Sequence, residues 1–162
     1  MPAYSVTRQI CIDVPPEKAI EVVSDFATWQ TWSPWLQADP EANVTVSQDS
    51  DSVGSTYEWS GGVCGAGKLT HESIERHSTW SKLEFFKPMK SVCGTGFEAI
   101  ANAKGGCDLT WKMEGKLPFF LFFMKSMIET FVGMDYERGL AMIKSYCESG
   151  EVPSKIEFLG IQ

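Results

Sequence analysis

Few side chains in this sequence are of kinds that carry out chemistry, and their spacing limits what they can do. Of the two histidines, His71 follows Leu69 by two residues in a run of β-formers, so both lie on one face of a strand. An inward histidine serves as a general base or as a polar anchor for a ligand carbonyl, and equally as a core residue whose ring nitrogens are satisfied. A one-residue slip of register would turn it outward. Tyr57 is the second catalytic candidate, a phenol able to polarise a carbonyl. His77 falls in a turn, where solvent reaches it. Strand parity points Glu58 and Glu114 outward and sets Glu98 opposite Phe97; a carboxylate that did face inward would have a raised pKa suited to proton transfer. Asp135 and Arg138 stand three apart on a helical stretch, the spacing of an ion pair across one turn.

Other chemistries find no support in the spacing. Five cysteines, Cys11, Cys64, Cys93, Cys107 and Cys147, are odd in number and never form a Cys-x-x-Cys pair, so we expect reduced thiols, and with two histidines they offer no metal-ligand spacing. Gly61-Gly62 and Gly65-x-Gly67 sit between strands with no helix after them, so they fail as a dinucleotide loop and suit a tight turn and a bulge. We expect neither a metal nor a cofactor. A formal net charge of -7 repels phosphate backbones, which argues against a nucleic-acid partner. Met1 to Thr7 lacks the basic and apolar segments of a signal peptide, which predicts a cytoplasmic protein. The longest apolar run, Phe119 to Met124, is far below the roughly 20 residues that span a bilayer.

The elements that must position these groups follow from periodicity. Residues 3 to 14 alternate, with Tyr4, Val6, Arg8, Ile10 and Ile12 on one face, and read as a half-buried strand ended by Pro15-Pro16. Glu17 to Phe26 carries Ala19, Val22, Val23 and Phe26 at helical spacing, and Trp29 to Trp35 is too aromatic for a solvated loop, so two short helices follow. From 43 to 115, six runs of β-formers (43–48, 54–60, 65–76, 79–87, 91–103 and 107–115) are broken by Asp49-Ser50-Asp51, Gly61-Gly62, His77-Ser78, Pro88 and Gly105-Gly106, the pattern of an antiparallel meander. Residues 119–149 hold a long helical stripe in which Gly133 and Gly139 are possible bends. The fold class is therefore α+β: a curved antiparallel sheet of about seven strands around a long C-terminal helix, with two short helices after the first strand. Residues 1–150 make one ligand-binding domain, and 151–162 a tail with a possible short edge strand.

The inward faces so assigned carry Tyr57, Trp59, Leu69, His71, Leu83, Phe85, Phe97, Trp111 and Met113, facing Met127, Phe131, Met134 and Met142 on the helix. Trp32 and Trp35 from the aromatic segment complete the set of ligand-binding candidates. Rings and thioethers suit a pocket open to varied apolar shapes, and they also make a bulky solid core.

Five segments carry a resemblance: Pro16 to Asp25 with Trp32-Ser33-Pro34-Trp35; Gly54 to Trp59 with Gly65-Ala66-Gly67; Leu83-Glu84-Phe85; Leu109-Thr110-Trp111 with Gly115; and Gly133-Met134-Asp135-Tyr136 through Gly139-Leu140 and Ile143-Lys144. In order and spacing the chain resembles the polyketide cyclase and lipid-transport superfamily, the helix-grip fold shared with START domains and the birch-pollen allergen. The resemblance implies a cavity that holds or shapes a ligand, with no universal catalytic set to carry over.

Three functional readings follow. In the first, the cavity binds a small hydrophobic molecule, aromatic or lipid-like. In the second, a cyclase or dehydrase acts in the same cavity with His71 or Tyr57 polarising a carbonyl. In the third, the Phe119 to Met124 run makes the protein an interaction adaptor, as a monomer or homodimer. That run is apolar all round, so it is a cavity lid, a patch for transient membrane contact, a dimer contact, or is covered by the Trp29 to Trp35 segment.

Overall fold

The computed structural model describes residues 3–87 and 89–150. Strand β1 (Ala3–Ile12) leads into helices α1 (Pro16–Ser24), α2 (Trp29–Trp32) and α3 (Pro34–Ala38); β2 (Asn43–Val46), β3 (Thr56–Gly61), β4 (Gly65–Ile74), β5 (Ser78–Lys87), β6 (Ser91–Ala101) and β7 (Cys107–Lys116) follow. A 3-10 stretch, Phe119–Met124, then leads into α4 (Lys125–Ser149). The seven strands form one antiparallel sheet in the order β1-β7-β6-β5-β4-β3-β2, in which β1 returns to pair with the last strand. The expected tail strand beyond residue 150 and the break at Pro88 lie outside the described residues.

Local chemistry explains the short helices. Proline occupies the first turn of α1, where a missing N–H costs nothing. Pro34 opens α3, and the Ser33 hydroxyl caps it by accepting from the Leu36 N–H at 3.4 Å. Together these two residues split the segment into two one-turn helices and turn its tryptophans under the sheet.

Helix α4 lies across the concave face and ends at Gly150, whose φ of +77° is the left-handed conformation glycine adopts cheaply. Its C-terminal end is tied to β1: Lys144 Nζ donates to the Cys11 carbonyl at 2.8 Å, and Glu148 accepts from the Asp13 N–H at 2.7 Å. Hydrogen bonding from Lys144 holds the Glu148 carboxyl below its ordinary pKa.

The helix runs unbroken through its glycines. A Cβ at Gly139 would come within 2.6 Å of the Trp111 ring, and one at Gly133 would meet the Arg8 guanidinium. They mark the face that presses on the sheet, which continues through the buried Tyr136, Leu140, Met142 and Ile143. That face corrects the sequence assignment: Met142 is buried, but Met127, Phe131 and Met134 are 46%, 59% and 42% exposed. The N-terminal half of α4 has two apolar stripes, and the larger side chains lie on the solvent side because the sheet side had to stay thin.

Candidate binding cavity

Period-two alternation brings one face of each central strand to the helix, and register aligns them: Tyr57 pairs with Leu69, Leu69 with Leu83, and Thr95 with Met113. With Phe85 and Trp111, these side chains floor a cavity of about 190 Å³. Trp29, Ser33, Trp35 and Leu36 wall it from the short helices, Trp59 and Cys64 from the β3–β4 hairpin, and Val132, Asp135 and Tyr136 from α4. The partly exposed members are those of α3, the β3–β4 hairpin, the end of β5 and the N-terminal half of α4, so the mouth lies at that end of the sheet.

The rings around the cavity are pinned, so they cannot swing in to fill it. Trp111 stacks between Tyr136 (centroids 3.9 Å apart, planes at 5°) and Phe97 (4.6 Å, 25°). Its indole N–H donates to Thr95 Oγ1 at 3.2 Å. The Thr95 hydroxyl donates its one proton to the Lys112 carbonyl at 2.8 Å, so the Tyr136 hydroxyl, 2.7 Å away, is the donor in their bond. Trp29 is held through its N–H to the Val23 carbonyl at 2.9 Å, and Trp59 through its own to Cys64 at 3.2 Å. Stacked and edge-on rings of this kind gain roughly 0.5–1.5 kcal/mol per pair beyond their burial.

Two polar groups of the lining stand out against this satisfied network. The Tyr57 ring is buried, yet its hydroxyl makes no hydrogen bond among the described residues, and burial raises its pKa, so it stays a protonated donor. Asp135, partly exposed at the mouth, accepts from the Trp35 indole N–H at 3.1 Å and faces Arg138 at 3.7 Å. Desolvation raises its pKa even though both partners act to lower it. The ion pair expected from spacing is thus present, and its carboxylate also lines the cavity. The Cys64 thiol is pushed up by burial and by Asp39, which keeps it protonated.

Of the sequence candidates, Trp35, Tyr57, Trp59, Leu69, Leu83, Phe85, Trp111 and Met113 line the cavity, while Trp32, Phe97, Met127, Phe131, Met134 and His71 do not. Trp32 and Phe97 are buried behind the lining, against Trp111. His71, expected to face a ligand, is sealed in the core: it stacks on Phe26 with centroids 4.0 Å apart, and its ring nitrogens are each 2.8 Å from a partner, Ser81 Oγ and the Ser24 carbonyl. Burial lowers its pKa, so it is neutral and fully bonded. Glu58, Glu98 and Glu114 are exposed, as is His77, which pairs with Glu17 at 2.7 Å. Sequence reasoning missed Trp29, Ser33, Leu36, Cys64, Thr95, Val132, Asp135 and Tyr136 as lining residues. Parity with Phe97 would have found Thr95, and spacing from Gly133 and Gly139 would have found Tyr136.

Comparison with known proteins bears on this geometry. Residues 3–148 match the sequence model of the family described as polyketide cyclase / dehydrase and lipid transport. The chain belongs to this family. No curated protein matches it by sequence. Among solved structures, CV1439 from Chromobacterium violaceum superposes with a TM-score of 0.66 at 14% identity, covering 90% of this chain and 98% of that one. The di-domain ARO/CYC StfQ from the steffimycin biosynthetic pathway gives 0.71 at 6% identity over 91% of this chain and 51% of that one. Ara h 8.0201 gives 0.63 at 12% identity over 91% and 99%. At these identities the likeness is one of fold, so members of this family share the helix-grip frame while the side chains in the cavity are this chain's own.

Proposed function

We propose that the protein binds a small molecule with an aromatic or otherwise apolar body and one polar group, held between the sheet and α4. The observation that carries this is a cavity of about 190 Å³ walled by pinned rings and lined by the buried Tyr57, whose hydroxyl has no partner among the described residues. A dry apolar cavity of about 150 Å³ accepts benzene, so this volume suits one or two rings rather than a drug-sized ligand of about 300 Å³ or more. The membership of a family described in part by lipid transport, and five unpaired cysteines that suit a reducing cytoplasm, are consistent with an intracellular carrier or sensor. Titration calorimetry with naphthol tests the reading. We expect micromolar binding that Leu83→Trp, which fills the cavity, abolishes while the variant still melts cooperatively; equal binding by both proteins refutes it.

One observation favours a catalytic variant of this reading. Asp135 is an acid at the mouth of an apolar site with a pKa raised by desolvation, a condition for proton transfer during cyclisation or dehydration. Tyr57 would then polarise the substrate carbonyl, a role His71 cannot share from the core. Turnover of an aromatic poly-β-ketone lost in Asp135→Asn, with substrate affinity changed less than about threefold, supports catalysis; no turnover by the wild type leaves binding alone.

A further inference from the structure

The large apolar side chains left exposed are not scattered. All except Val53 and Ile100 lie at the end of the sheet that holds the β3–β4 and β5–β6 turns, or on the adjoining 3-10 stretch and N-terminal half of α4. The largest of them in one run are Phe119, Phe120, Phe122 and Phe123, at 79%, 72%, 62% and 66%. Neither the cavity nor the Trp29 to Trp35 segment takes them in, so they are not a closed lid. The cavity mouth opens at the same end.

A second, independent pattern coincides with the first. Lys87, Lys90, Lys116 and Lys125 are exposed around this surface, and among the described residues none has a carboxylate within 4.0 Å. Basic residues elsewhere are mostly paired, as Arg8 with Glu137, Lys112 with Glu114 and Lys144 with Glu148. The nearest acids, Glu114 and Glu129, share a surface groove with Lys116 and Lys125 without approaching them within 4.0 Å; Glu114 pairs with Lys112 and Glu129 accepts from the Ser5 N–H at 3.2 Å. An apolar surface ringed by unpaired lysines, on a chain of net charge -7, is an arrangement that local charge explains and overall charge opposes.

We propose that this end of the molecule docks on an anionic lipid bilayer, the phenylalanines entering the interface and the lysines meeting lipid phosphates. A symmetric contact between two copies would set the same lysines against each other, which disfavours self-association through this face. No helix of the described residues is long and apolar enough to cross a membrane, so the contact is peripheral. Docking in this pose turns the cavity mouth toward the bilayer, and an apolar ligand dissolved there enters without passing through water.

Liposome flotation of the full chain tests the proposal with no cavity ligand present, so its outcome is separate from that of ligand binding. Vesicles of equimolar phosphatidylcholine and phosphatidylglycerol should carry the protein upward, and vesicles of phosphatidylcholine alone should not. Each lysine near an anionic surface contributes about a fivefold factor, so Lys116→Glu/Lys125→Glu lowers partitioning at least roughly 25-fold. Phe122→Ser/Phe123→Ser lowers it at least about tenfold, with both variants melting as the wild type does because these side chains are exposed. Failure of the wild type to float with anionic vesicles overturns the proposal, as does undiminished flotation of either variant. So does a wild-type dimer in light scattering that the double serine variant dissolves, which would assign the surface to a second copy.

Discussion

Replacing Tyr57 by Phe should make the empty protein more stable and its ligand weaker, two effects of opposite sign from one atom. The ring keeps its place: it is 5% exposed and sits 5.6 Å from Trp29 and 5.9 Å from Phe26, contacts that Phe preserves. Only the hydroxyl is lost, and it has no partner among the described residues. A buried hydroxyl without a hydrogen bond costs about 1–3 kcal/mol in proteins. For a domain of this length, roughly 2–4 °C of melting temperature corresponds to each kcal/mol, so Tyr57→Phe should melt at least about 2 °C higher by circular dichroism. Binding should move the other way. A neutral hydrogen bond contributes about 0.5–1.5 kcal/mol net, so naphthol should bind Tyr57→Phe roughly 2- to 10-fold more weakly. Naphthalene, which lacks the polar atom, should bind both proteins alike. A lower melting temperature for the empty variant would show that the hydroxyl is already satisfied, and an equal loss of affinity for naphthol and naphthalene would show that the substitution disturbed the cavity rather than removing a donor.

Two alanine substitutions on α4 should differ in sign although both gain about 1 kcal/mol of helix propensity over glycine. At Gly133 the new methyl meets the far end of the long, partly exposed Arg8 side chain, which can shift, so Gly133→Ala is neutral or stabilising by up to about 1 kcal/mol; at Gly139 it meets the pinned Trp111 ring, and an overpacking cost of about 1–3 kcal/mol makes Gly139→Ala the less stable in urea denaturation. His71→Ala should lose about 2–4 kcal/mol, from the Phe26 stack and two buried hydrogen bonds, while naphthol affinity stays within about twofold. The sign of its pH dependence follows from a lowered folded pKa: the unfolded chain takes up the proton first, near pH 6.5, so stability contributed by His71 is complete above that value and is lost as pH falls toward the folded pKa. Guanidinium melts at several pH values should show that slope in the wild type and a flatter one in His71→Ala.

The sheet was legible in the sequence because period-two alternation survives wherever one face is wet, as in Leu109, Trp111 and Met113 against Thr110, Lys112 and Glu114. Each strand expected between residues 3 and 115 appears within a few residues of its expected bounds. Seven of the lining residues, Tyr57, Trp59, Leu69, Leu83, Phe85, Trp111 and Met113, follow from that parity alone. On the helix an apolar stripe is not by itself a signal of burial, since Met127, Phe131 and Met134 are exposed. Where a helix approaches a sheet closely, the contact face is built of small residues, and Gly133 and Gly139 were the informative positions. His71 shows the converse limit: parity turned it inward correctly, but parity does not say whether the interior at that depth is cavity or core. The deciding group was the Phe26 ring, from a helix 45 residues earlier in the chain, and no local pattern reports a contact that distant.

The cavity and the apolar end surface have one geometric origin. At its C-terminal end α4 is fastened to β1 by Lys144 and Glu148, and at Gly139 it comes down onto Trp111. Closer packing toward the N-terminal half would require Trp111, Trp29 and Trp59 to turn, and each is held by its own N–H bond. The helix is held against β1 there at Gly133 and Glu129, and between it and the central strands the cavity remains, with the Trp35 indole bonded to Asp135 at its mouth. Met127, Phe131 and the 3-10 phenylalanines are left exposed on the same half of the helix and the stretch before it. Void and exposed surface thus both border the N-terminal half of α4, which is why both occur at the same end.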